Sequence, residues 1–493
     1  MIYLNRRRFL TYAGAAAAVV GGSALGLDYL NGSGSIGLGQ ILDRTPPIVK
    51  DFRFQPIRAV NGKNHDATIS FSVEDTQSGI ADVSGTLEGY APTIPVRAYP
   101  AEPARVLQLT TSQVSPGVFS SEVNDLKGGK YYRATITAKD AAGNEASSQF
   151  ETPYVREFEN MSGRDSFLLG AVYLAWWENP CKPGWFCHWS EVRADYAKGT
   201  TPLGTPILGI YSSNDPLVIA KHIDWATGYG VDFFFFEFNG PESASRRFPP
   251  FLQHPLMSDI KFAFCYYTRR LAEDTGSLES IDLNDPSTYS LLESDFEYIA
   301  KNYFPHPSYL RINGHPVVQL YFTFAFKGDL SKPVAKLRDR MKELGSDIYL
   351  IGDQVSWGDE IDINRLKVFD AISNANDLVP PTSHPEWGAD GRDRQEYSRW
   401  QSAARRAGIE LIPFAYPGYD DSHLTDRPIG YGYVRRDAEF LSYTVKSAMQ
   451  FADENRILGL VTFNDWGENT FVEPSVEDGF KYLQTLRDTL AGH

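Results

Sequence analysis

Between residues 45 and 154 apolar and polar positions alternate in short runs: ATISFSVED, VSGTLEGY, RVLQLTT, GVFSSEV and KYYRATITAKD, separated by turn residues. Period-two alternation rich in β-branched residues predicts strands that bury one face. Runs recurring at this spacing predict a small all-β sandwich. From Phe167 the rhythm changes. Eight apolar runs follow, FLLGAVYLAWW, VDFFFFEF, KFAFCYY, PVVQLYF, IYLIGD, FDAISN, IELIPFAY and ILGLVTF. Between most of them lie stretches of helical period such as PLVIAKHIDWATGYG, SLLESDFEYIAKNYF and KPVAKLRDRMKELG. Eight strands alternating with helices predict an α/β architecture, a (β/α)8 TIM barrel over residues 155–493. A doubly wound sheet is disfavoured because no G-x-G-x-x-G follows the first strand.

A barrel gives the strand ends a meaning, because functional groups gather on the face where parallel strands finish. The eighth run stops at Asn464-Asp465-Trp466-Gly467-Glu468, with Glu473-Pro474 after it. Earlier ends carry Tyr173, Trp176, Trp177 and His188-Trp189, then Glu237, Tyr266-Tyr267, Tyr321, Asp353, Asn374-Ala375-Asn376 and Asp420-Asp421. Rings offer flat apolar faces, as sugars do, and planar amides and carboxylates pair with hydroxyls. Asp465 and Glu468 are of the type that glycoside hydrolysis uses, one carboxyl protonated and one ionised, and Trp466 between them can raise a pKa by desolvation. The competing role for such acids is to cap the following turn or carry solvated charge.

Composition narrows the partners. A net charge of -15 argues against nucleic acid or an anionic membrane surface. No basic phosphate-binding cluster is apparent. There is no G-x-S-x-G elbow, no H-E-x-x-H and no EF-hand loop, so no metal and no cofactor is expected. The run Asp420-Asp421-Ser422-His423 is read as substrate binding or loop structure before a cation site. Cys181 and Cys187 bracket a short loop that a disulfide can close in an oxidising compartment, whereas two cysteines with only His188 nearby make a poor zinc site. Cys265 reads as a buried small hydrophobe. At the N-terminus Asn5-Arg6-Arg7-Arg8-Phe9-Leu10 precedes a mild Ala/Gly/Val stretch, which reads as a twin-arginine signal or membrane anchor over residues 1–30. Residues 31–44 form a Gly/Ser-rich linker to the 45–154 sandwich, whose stretches TPPIVKDFRF, VEDTQSGIADV and ITAKDAAGNEAS resemble immunoglobulin-like or fibronectin-type modules. The expectation is an exported protein, secreted or attached to the cell surface.

The terminal motif carries a specific resemblance. Asn464-Asp465-Trp466-Gly467-Glu468-Asn469-Thr470-Phe471-Val472-Glu473-Pro474 is similar to the Asn-Glu-Trp-x-Glu-Gly-x-x-(Ile/Leu)-Glu-Pro pattern on the last strand of glycoside hydrolase family 99, the endo-α-mannosidases, and of their WbsX-like relatives. VYLAWWENP with Trp185-x-x-His188-Trp189, INGHPVVQLYF and Pro417-Gly418-Tyr419-Asp420-Asp421 extend it over most of residues 167–485. The resemblance implies a retaining, endo-acting, metal-independent hydrolase of α-linked, mannose-like glycans. In it Asp465 draws the proton from the sugar's 2-hydroxyl, and Glu468 serves as general acid and base. Trp176, Trp177, His188, Trp189, Glu237, Tyr266, Asp420, Trp466 and Glu473 form the sugar subsites. This chain departs from the pattern at Asp465, where the family has Glu, and at Asn469, where it has Gly. The alternatives are a non-catalytic glycan-binding or envelope protein, or a WbsX-like glycosyltransferase. A poly- or oligosaccharide is the expected partner, and no protein partner is implied.

Overall fold

The structure is a computed structural model. It describes residues 43–57, 64–90, 106–163, 166–179, 188–192, 194–195, 201–272, 281–355, 360–375, 392–424 and 433–492. The N-terminal signal or anchor and the Cys181–Cys187 pair lie outside the described residues.

The N-terminal strands form two four-stranded antiparallel sheets. One runs Ile48–Ile57, Asn64–Glu74, Val118–Lys127, Ser112–Ser115 in spatial order, the other Val106–Leu109, Ile80–Tyr90, Tyr131–Asp140, Glu145–Glu151. Alternate residues of both, among them Ile69, Phe71, Val73, Leu87, Ala134 and Ile136, share one buried core.

All eight apolar runs of the C-terminal region become parallel strands. Leu168–Tyr173, Phe233–Phe238, Lys261–Tyr266, His315–Leu320, Tyr349–Asp353 and Ala371–Ser373 pair in sequence order. The seventh run is divided into Glu410–Ile412, which pairs with Ala371–Ser373, and Phe414–Ala415, which pairs with Ile457–Leu460. Proline causes the division. Pro413 has no N–H to donate to a ladder, although its carbonyl accepts from Gly459 N at 3.0 Å. Because Ile457–Leu460 also pairs with Leu168–Tyr173, the sheet nearly closes on itself.

Parity along each strand then decides what enters the barrel. Phe233, Phe235, Ala263, Cys265, Val317, Ile351, Ala371, Ile412, Phe414 and Ile457 fill its interior, while Phe234, Phe236, Phe262 and Phe264 pack into the layer shared with the helices. Phe414 occupies space that only a glycine leaves open: a Cβ on Gly459 would lie 2.3 Å from its ring. Two helices on the outer layer start by one device. Asp215 accepts from Leu217 N and Val218 N ahead of Pro216, and Asp285 from Ser287 N and Thr288 N ahead of Pro286.

The two regions meet around Asp224, a buried residue of the helix Pro216–Gly228. It accepts from Tyr154 Oη and from the amides of Glu157 and Phe158, and Arg156 lies 3.4 Å away. No helix among the described residues is long and apolar enough to cross a membrane.

Candidate active site

A cavity of about 800 Å³ opens where the barrel strands end. Asp465 and Glu468 line it together with Glu237, Trp176, Trp177 and His188.

The chain after Ile457–Leu460 is anchored before it reaches the acids. Asn464 is fully buried. Its Oδ1 accepts from Leu174 N at 2.8 Å, its Nδ2 donates to Leu174 O at 3.1 Å, and its carbonyl accepts from Trp177 Nε1 at 3.1 Å. Asp465 then folds back, its Oδ1 accepting from Gly467 N at 2.7 Å and Glu468 N at 3.0 Å. One oxygen of Asp465 therefore caps the turn that presents Glu468. The Glu468 carbonyl is held from the other side by Asp420 N at 2.9 Å. Asn469 sits at φ 57°, a left-handed conformation that glycine adopts freely and asparagine tolerates better than other side-chain-bearing residues.

Glu237 reaches the cavity through strand parity: it lies two residues beyond Phe235, on the inward side. Burial pushes its carboxyl up to about 8. Arg247 opposes that shift, the charges of Asp465 and Glu468 add to it, and Arg269 opposes it again. A third carboxyl, protonated at neutral pH, thus stands beside the pair. Burial, assisted by Glu468, also raises the Tyr321 hydroxyl well above its usual range.

Trp176 stacks on His188 at 4.0 Å, and His188 Nδ1 bonds Glu191 Oε2 at 2.9 Å. Trp176 thus lines the cavity with its ring, and its buried Nε1 has no partner among the described residues.

Five residues assigned to sugar contact do not line this cavity. Tyr266 points into the helix layer, where its hydroxyl donates to Asp295 at 2.8 Å; strand parity makes Tyr267 the cavity residue instead. Trp189 is fully buried and donates to Tyr211 O. Trp466 Nε1 donates to Glu473 Oε2 at 2.9 Å, and the same oxygen accepts from Tyr211 Oη at 2.7 Å. Glu473 Oε1 meets His222 Nε2 at 3.2 Å, and His222 Nδ1 meets Tyr173 Oη at 2.8 Å. Glu473 is thus the centre of a closed polar network behind the cavity wall. Asp420 turns its carboxylate onto Ser422 N and Oγ.

Of the strand-end residues read from the sequence, Tyr267 and Tyr321 line the cavity beside Asn239, while Arg246, Arg247, Arg269 and Arg270 were missed as lining residues. The absence of a basic cluster inferred from the sequence is corrected here, because Ser-Arg-Arg and Thr-Arg-Arg follow adjacent strands and converge only in the fold. Acidic groups close enough to hold a metal ion occur, among the described residues, at Asp43, Asp75 and Asp140 in the N-terminal sheets and not at the cavity.

Fold and cleft together define a parallel barrel protein with acids set at the C-terminal ends of its strands. Within that class the chain belongs to the family described as glycosyltransferase WbsX, whose model matches residues 184–486. It is 20% identical over 344 residues to the glycoprotein endo-alpha-1,2-mannosidase of Rattus norvegicus, spanning 63% of this chain and 68% of that one. It is 25% identical over 307 residues to the uncharacterized protein WxcX of Xanthomonas campestris pv. campestris, spanning 57% of this chain and 42% of that protein. Among solved structures it is similar to the GH99 endo-alpha-mannosidase of Bacteroides thetaiotaomicron, with TM-score 0.50 and 20% identity over 68% of this chain and 96% of that one. That likeness shows the fold.

Proposed function

We propose that the protein is an exported retaining glycoside hydrolase, endo-acting on an α-linked, mannose-like glycan. The observation that carries this reading is the placing of Asp465 and Glu468 in one cavity, with the turn built so that the first holds the second. Glu468 donates a proton to the leaving oxygen and later takes one from the attacking water. Asp465, with one oxygen engaged by two amides, uses the other toward the sugar's 2-hydroxyl, whose oxygen closes on C1 as the glycosidic bond breaks. Glu237 donates a hydrogen bond to the substrate while it holds its proton, and Trp176 supplies a stacking face. Similarity to the endo-mannosidases supports the hydrolytic assignment.

The test is release of reducing ends from α-mannan and other α-linked polysaccharides. Glu468→Gln is expected to lower the rate by about 100-fold or more, the scale of general acid–base catalysis. Equal rates for both proteins would refute the role of Glu468. The family's description favours a second reading, transfer from a sugar donor. That reading predicts that GDP-mannose with an acceptor yields a longer glycan and that no glycan alone is cut.

A further inference from the structure

The cavity has a cationic side that hydrolysis of a neutral sugar does not use. Arg246 and Arg247 come from the helix Gly240–Leu252, and Arg269 and Arg270 from the turn Thr268–Ala272. These segments follow the paired strands Phe233–Phe238 and Lys261–Tyr266, so both Arg-Arg pairs rise at the same end of the barrel. Two of the four have evident structural duties. Arg270 Nε bonds the buried Asp295 at 2.7 Å, and its guanidinium covers Gly240, where a Cβ would come within 2.7 Å of it. Arg246 lies 3.6 Å from Glu242 on the exposed side of its helix.

Arg247 and Arg269 differ. Neither forms a hydrogen bond or ion pair with a described residue. Arg247 is part-buried, and burial holds its guanidinium below the usual arginine range. Their simplest duty would be to keep Glu237 ionised, yet that carboxyl sits at about 8 in their presence. Taking the Arg247 guanidinium partly out of water is costly; Glu237 and Glu178 offset that cost without bonding to it, and a ligand anion offsets more. The planar fork of arginine matches the two oxygens of a carboxylate.

We propose that the substrate of this cavity is an acidic glycan, and that Arg247 and Arg269 receive the carboxylate of a uronate-type sugar. The inference rests on the glycan-site reading above and specifies its substrate class.

Calorimetric titration of the full chain carrying Glu468→Gln tests it. The ligands are oligogalacturonides, sulfated carrageenan oligosaccharides, neutral α-mannan oligosaccharides of matched length, and GDP-mannose. Oligogalacturonides are expected to bind at least about tenfold more tightly than mannan oligosaccharides, and to lose affinity as NaCl rises. Arg247→Met and Arg269→Met should each weaken that binding by about ten- to a hundred-fold, the worth of a charge-assisted hydrogen bond, and weaken mannan binding far less. Arg247→Lys, which keeps the charge without the fork, should fall between. Arg269 is exposed, so its variant keeps the test valid if Arg247→Met fails to fold. Equal or tighter binding of mannan, a preference for sulfated sugar or GDP-mannose, indifference to both arginine variants, or no binding at all overturns the proposal. Reducing-end assays on the wild type separate it from the hydrolase reading. Arginine-dependent retention of oligogalacturonide without cleavage sinks hydrolysis alone. Mannan cut by the wild type at least as fast as oligogalacturonide sinks the acidic substrate alone.

Discussion

Asp465 has two tasks that substitution can separate. Its Oδ1 caps the Gly467 and Glu468 amides, which an Asn side chain can still do, while the charge needed by a base is lost in Asn. Asp465→Asn is therefore expected to melt close to the wild type yet lose about 100-fold or more in turnover. Asp465→Ala should in addition lose about 1 kcal/mol of stability, the usual cost of a lost cap. Denaturant titration beside initial rates reads both. Glu237 gives a pH signature. Its carboxyl is raised by burial, so between its unfolded value and about 8 the folded chain holds a proton that the unfolded chain has released. The stability it contributes is full below its unfolded pKa and is lost as pH rises through about 8. Glu237→Gln should flatten the fall of melting temperature between pH 5 and 9, and should remove an alkaline limb near pH 8 from the rate profile. An unchanged profile would show that another group sets that limb.

At the scale of elements, the eight strands were legible because buried parallel strands read as dense apolar runs whatever their partners. What escaped was parity and convergence. FAFCYY gives no sign of which tyrosine faces inward until Cys265 is paired with Glu237, so Tyr266 was favoured over Tyr267. Glu473 reads as a strand-end acid, but its partners Tyr211, His222 and Trp466 are scattered along the chain and meet only in the folded core. Asp465 and Glu468 were legible because a single turn carries both. The closed network makes its own forecast. Glu473→Leu leaves three buried polar groups without their partner and should cost several kcal/mol at about 1–3 kcal/mol for each, far more than Asp420→Ala, which only frees an exposed Ser422. At the barrel seam Gly459→Ala forces a methyl onto the Phe414 ring, with an expected loss of about 1–3 kcal/mol from overpacking. Pairing it with Phe414→Leu should recover part of the loss.

Across the whole molecule, Arg156, in the segment that leaves the N-terminal sheets, is tied to the barrel's helix layer by Asp224 and, at 2.6 Å, Asp259. Burial raises Asp224 to about 6 against the pull of Arg156, so its contribution to stability is lost as pH rises through that value. Arg156→Ala removes the opposing cation. It should destabilise the protein by about 3 kcal/mol or more, the scale for breaking a buried pair, with the larger drop in melting temperature at pH 8 than at pH 5. The near-closure of the sheet has a further effect during synthesis. Leu168–Tyr173 cannot gain its second neighbour until Ile457–Leu460 exists, and the clamp between Leu174 and Asn464 spans 290 residues. At ribosomal speeds that interval is roughly 15–60 s. Throughout it a phenylalanine-rich half-barrel stands with one edge open, and the two halves of the cavity are united only when the last strand leaves the ribosome. That open edge leaves unpaired backbone and apolar surface exposed for the whole interval.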